Sequence, residues 1–74
     1  MIMKLTLGEK IRNLREDRDL NQTELAKKTN MTQRKLSYIE CGKTEPSIDD
    51  LVAFCLFFGV SADYLIGIKD YPNG

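Results

Sequence analysis

Thr32, Gln33, Arg34, Lys35, Ser37 and Tyr38 form the densest run of hydrogen-bonding groups in the chain, interrupted by the aliphatic Leu36 and, just beyond, Ile39. Their chemistry is recognition. A glutamine amide donates and accepts at once, which matches the exposed edge of an adenine. An arginine fork donates to both acceptors of a guanine. Thr32 offers a hydroxyl to a phosphate or a methyl to thymine, and Ser37 lies one helical turn beyond Gln33. The same composition fits a solvated helix face, so residue types alone leave both readings open.

Bond-making chemistry is sparse. The chain has no His, and its two cysteines, Cys41 and Cys55, lack a CxxC spacing. Nothing therefore supplies a zinc site, a base beside a nucleophile or a triad. No glycine-rich loop reads as a phosphate cradle. The expectation is a protein that is not an enzyme, with no catalytic residues, no metal and no cofactor. Two thiols would be thin stapling for a small secreted domain, so reduced cysteines and a cytoplasmic location are expected.

The elements that must position these residues are helical. Leu7, Ile11 and Leu14 form one apolar stripe at i, i+4 and i+7; Leu25–Ala26, Leu36–Ile39 and Ala62–Leu65–Ile66 form others. Helix starts are marked by caps. Thr6 with Glu9 and Asn21 with Glu24 fit the capping box, and Ser47 with Asp50 is a shorter version. Thr32 and Ser61 are caps without an acid partner. Apolar pairs Leu20/Leu25, Met31/Leu36 and Val60/Leu65 bracket three of the caps as staples. Asn30, Gly42, Gly59 and Gly67 sit where helices end. Helices are predicted at about 7–18, 22–29, 33–41, 48–58 and 62–66. The link Asn30–Thr32 is too short for an antiparallel hairpin and forces a steep crossing, the helix-turn-helix. Its second helix would enter a DNA major groove by its N-terminal residues.

Length bounds the rest. Seventy-four residues, 42% hydrophobic and 30% charged, make one globular domain with one small core. We expect residues 1–68 to form it and 69–74 to be a tail or the start of a linker. The longest uninterrupted apolar run, Leu51–Phe58, is far below the ~20 residues of a membrane span. Net charge is zero, unlike most nucleic-acid binders. The distribution is uneven, however. Residues 1–43 hold ten cations against six acids, +4, and residues 44–74 hold one against five, −4.

The segments LGEKIRNLREDRDLNQTELAKKT and MTQRKLSYIECGKTEPSIDDLVAFCLFFGVSADYLIG resemble the lambda-repressor-like helix-turn-helix domain of the Cro/CI or XRE family. The resemblance covers about four-fifths of the chain. It rests on Asn21–Gln22, Leu25–Ala26, Ile39–Glu40–x–Gly–Lys, Pro46–Ser47 and Gly59–Val60–Ser61–x–x–Tyr64–Leu65 in order. It implies an all-α, compact five-helix DNA-binding domain with the helix-turn-helix at helices two and three. It further implies that Thr32, Gln33, Arg34, Ser37 and Tyr38 face bases, and that Lys10, Gln22, Lys35 and Lys43 meet phosphates. Arg15 and Glu40 match an internal ion pair. Asn30 stands where the family usually has Gly, and Cys41 where Asn, Ser or Arg is frequent.

The fourth helix departs most from the family. Wheel positions assign Ile48, Leu51, Val52, Cys55 and Phe58 to the core, which leaves Leu56 and Phe57 outside. With Tyr64 and Ile68 they suggest a homodimer interface; alternatively Phe57 folds over helix five as core. The implied function is sequence-specific recognition of double-stranded DNA, as a repressor of a palindromic operator. The alternative is an antitoxin-type interaction module that covers a protein partner such as a toxin.

Overall fold

The computed structural model describes residues 5–68. Among them are five helices: α1 Leu7–Asp17, α2 Gln22–Lys28, α3 Gln33–Glu40, α4 Ile48–Phe58 and α5 Ala62–Ile66. The expected tail, 69–74, lies outside the described residues.

Local chemistry explains the boundaries. Capping boxes close at Thr6/Glu9, Asn21/Glu24 and Ser47/Asp50. Each hydroxyl or amide oxygen accepts the N3 amide, and each acid accepts the cap amide in return. Thr32 and Ser61 accept from Lys35 N and Tyr64 N. At the other ends Asn30 takes φ 58°, so the α2–α3 turn keeps its left-handed residue without glycine. Met31 N then donates to Ala26 O at 2.9 Å, and the Thr29 hydroxyl, buried in the turn, donates to Leu25 O at 2.8 Å.

These short helices cannot stand alone and are held by a shared core. Ile11, Leu25, Leu36, Ile39, Phe54 and Leu65 are fully buried, one or more from every helix. Gly8 lets α1 approach the C-terminal end of α3. A Cβ there would overlap the carbonyl oxygens of Ile39 and Glu40. Its place in the first turn of α1 gave no sign of that contact.

The phase of α4 differs from the wheel assignment. Phe54 is 0% exposed, with Asp50 and Phe58 buried one turn to either side. Ile48 (79% exposed), Val52 (50%) and Leu56 (79%) point outward instead. Leu51 and Cys55 are half-buried against the core, where burial pushes the Cys55 thiol pKa up. Both stripes have i, i+4, i+8 spacing, so an almost wholly apolar helix gives periodicity nothing to choose by. Its two acids mark opposite sides: Asp49 is exposed on the Val52–Leu56 face, whereas Asp50 misleads because its charge is partnered inside.

Phe57 is not the free surface residue expected of an interface. It is half-buried, its ring 5.1 Å from that of Phe58 in an edge-to-face pair. The Arg18 guanidinium lies over both rings and donates to Phe57 O and Phe58 O at 3.1 and 3.0 Å. Arg18 thus joins the end of α1 to the end of α4, where orphan carbonyls need donors.

Candidate nucleic-acid interface

The site is built from the inside out. Glu40 closes α3 with a side chain that is 0% exposed. Arg15 of α1 holds it with a two-pronged bond, Nε to Oε2 at 2.8 Å and Nη2 to Oε1 at 3.0 Å. A third donor, Nη1, reaches Leu20 O at 2.9 Å and ties the α1–α2 link to the same fork. Bonding to Glu40 raises the Arg15 pKa against the opposing effect of burial. Such a pair fixes geometry more than it adds net stability, because desolvation offsets much of the attraction. Arg12 Nε stands 3.7 Å from the same carboxylate.

Gln22, the first residue of α2, donates from Nε2 to Glu40 Oε1 at 3.1 Å. Its own Oε1 accepts from Gln33 Nε2 at 2.6 Å. A continuous chain therefore runs from the buried ion pair to the first residue of α3, where Gln33 is exposed. Arg34 beside it is exposed and donates from Nε to the Tyr38 hydroxyl at 3.2 Å. The Tyr38 ring is flanked by the Arg34 guanidinium at 5.5 Å and the Lys43 amine at 5.7 Å. Ser37 is half-buried and Thr32 exposed. The Thr32 oxygen caps α3 by accepting from Lys35 N at 3.1 Å, which leaves its hydroxyl proton to donate.

Two of the residues expected at phosphates are bonded to groups of the protein itself, Lys10 in the interior and Lys35 at the surface. Lys10 is only 8% exposed; its amine donates to Tyr64 O at 2.7 Å and sits 4.9 Å over the Tyr64 ring. It ties α1 to α5 and is unavailable at the surface. Tyr64 is half-buried and packs against the core. Lys35 pairs with Asp50 at 2.8 Å, linking α3 to the start of α4. Burial alone would raise the Asp50 pKa, but the Lys35 and Ser47 bonds outweigh it and the net shift is downward. Sequence marked Asp50 only as the capping partner of Ser47 and did not mark Arg18; the Lys35 and Phe57/Phe58 contacts span 15 or more positions and have no local signal.

Comparisons with known proteins bear on the family and the fold. Residues 11–65 match the family model described as helix-turn-helix. The immunity repressor protein of Bacillus phage phi105 is 32% identical over 63 residues, covering 85% of this chain and 44% of that protein. The P22 c2 repressor bound to a synthetic operator superposes with a TM-score of 0.83 at 29% identity, covering 89% of this chain and all of that one. SinR of Bacillus subtilis, in a complex with DNA, gives 0.75 at 30% identity, covering 81% and 97%. The fold and the α2–α3 unit thus define a lambda-repressor-like DNA-binding domain. The chain belongs to the helix-turn-helix family of XRE-type regulators. It spans about half the length of the curated relatives that it matches.

Proposed function

We propose that the chain binds a specific double-stranded DNA sequence through α3 and represses transcription there. The observation that carries this reading is the exposed Gln33–Arg34 pair at the start of α3, braced from behind by Gln22, Glu40 and Arg15. Gln33 and Arg34 read bases, with Thr32, Ser37 and Tyr38 beside them. Lys43 meets the phosphate backbone from the loop after α3, and Gln22 keeps one Nε2 hydrogen for a phosphate. Lys10 and Lys35 are left out of this contact set by their internal bonds. The operator complex of the P22 c2 repressor supports the assignment of DNA as partner.

The functional unit is a homodimer on a palindromic operator, which places two α3 helices about 34–36 Å apart. Leu56 remains the exposed member of the expected interface, and Ile48 and Val52 extend it along α4. Tyr64 and Phe57, the other two members, are half-buried against the core. Among the described residues no helix is long and apolar enough to cross a membrane, and the reading places the protein with DNA in the cytoplasm.

Selection of bound sequences from a random DNA pool tests the reading, since it returns a half-site and its spacing. Gln33→Ala and Arg34→Ala should each weaken specific binding by ~1–3 kcal/mol. Lys43→Ala should weaken all sequences alike and flatten the salt dependence. Equal binding of operator and random DNA by wild type and both α3 variants would reject it. Sedimentation as a monomer at high micromolar concentration, with and without operator, would reject the dimer.

A further inference from the structure

We propose that Glu40 is a specificity-determining positioning residue: through Gln22 it fixes which end of the Gln33 amide faces outward. The inference deepens the base-reading assignment of Gln33 and rests on it.

The argument follows the donors. Glu40 is wholly buried at its side chain and receives two bonds from a guanidinium that keeps its protons. It is therefore a carboxylate, and a carboxylate only accepts. Gln22 must turn its NH2 toward it, as the 3.1 Å bond shows, and its Oε1 is left facing Gln33. That oxygen also only accepts, so Gln33 must turn its own NH2 inward, at 2.6 Å. Two successive amides are thus oriented by one buried charge. Gln33 is left with a free Oε1 and a single unused N–H.

This pattern of one acceptor and one donor complements adenine, which presents the N6 amino group and N7 in the major groove. Guanine presents O6 and N7, both acceptors, and would meet the Gln33 oxygen with a lone pair. An untethered Gln33 could turn its amide over and offer both N–H groups to guanine. The ion pair at the base of the chain therefore does more than join α1 to α3: it supplies the sign of the recognition.

Pool selections with the full chain test this in wild type, Gln33→Ala, Gln22→Leu and Glu40→Gln. Gln33→Ala locates the contacted position by abolishing its adenine preference. At that position Gln22→Leu, which leaves the Arg15–Glu40 pair intact, should cut the adenine-over-guanine ratio roughly tenfold, with preferences elsewhere kept within about twofold. Glu40→Gln should do the same if it folds; Gln22→Leu carries the test if it does not. If Gln22→Leu lowers affinity evenly and keeps the adenine preference, the relay is overturned while base reading by Gln33 stands. Should Gln33→Ala leave every position unchanged, the base-reading assignment falls and the relay with it.

Discussion

Replacing Phe54 by alanine tests how α4 is seated, and with it the platform behind α3. Phe54 is fully buried and packed in the core shared by all five helices. Truncating such a residue costs about 3–5 kcal/mol in transfer and cavity terms. A domain of this size has a total stability of roughly 4–11 kcal/mol, so the variant should be close to unfolded. The control is Val52→Ala, two positions away and half-exposed. The wheel assignment makes Val52 a core residue, and the folded structure makes it a surface one. Losing a half-exposed valine while gaining a better helix former should change stability by less than ~0.5 kcal/mol. Urea titration by far-UV circular dichroism, at low micromolar concentration to limit association, reads the difference. With a slope near 1 kcal/mol/M, Phe54→Ala should lower the midpoint by ~3 M or abolish the transition, and Val52→Ala should move it by less than ~0.5 M. Similar losses from both, or the larger loss from Val52→Ala, would refute the seating of α4 described here.

Asp50→Asn should release Lys35 from its pair. The cost to stability should be about 1–3 kcal/mol, because the carboxylate is buried and also closes the Ser47 cap, whereas the salt slope of DNA binding should steepen by ~0.9 if the freed amine takes a phosphate. The folded-state pKa of Asp50 lies below its ordinary value. Its contribution to stability is therefore complete above the usual carboxylate range and is lost as pH falls through that range toward the folded value; melting curves of wild type and Asp50→Asn should converge in acid. Gly8→Ala should destabilise by ~1–3 kcal/mol in urea titrations despite the better helix propensity of alanine, because the methyl meets backbone carbonyls that cannot move aside. Lys10→Met should lower stability by about 1.5–3 kcal/mol, the worth of a charge-assisted hydrogen bond, and leave the salt slope of DNA binding unchanged, since its amine serves Tyr64.

What sequence made legible is what local chemistry decides. Thr6/Glu9, Asn21/Glu24 and Ser47/Asp50 interact within one turn, and each cap is where its spacing put it. The turn at Asn30 and the polar start of α3 are local in the same sense. The phase of α4 was not legible because Leu51–Phe58 is apolar on every side, and only docking against α1, α3 and α5 selects the Phe54 stripe. The site shows the same division. Residue types pointed to Gln33 and Arg34, but no spacing rule joins Gln22 to Glu40, 18 positions apart, or Lys10 to the carbonyl of Tyr64, 54 apart. Lys10 is internal for that reason and Lys35, though exposed, is paired with Asp50: a lysine in sequence is only a charge, and the fold decides what it meets.

The zero net charge takes its meaning from that last point. Residues 1–43 are the basic part of the chain, yet Lys10, Arg15, Arg18 and Lys35 are bound to carbonyls or carboxylates of the protein itself. These cations join α1 to α3, α4 and α5 and α3 to α4; they hold the reading helix and add little to the attraction for a polyanion. Arg12, 3.7 Å from Glu40, and Lys27, Lys28, Arg34 and Lys43 are exposed on this half, as are Arg18 and Lys35 despite their bonds. The sequence-independent part of DNA affinity scales with the number of phosphates neutralised, so each cation already committed to the protein's own groups lowers what that source supplies. Discrimination then depends on the groups whose orientation is fixed before DNA arrives. A buried carboxylate setting two amides in series provides that fixation at a residue that never needs to touch the DNA.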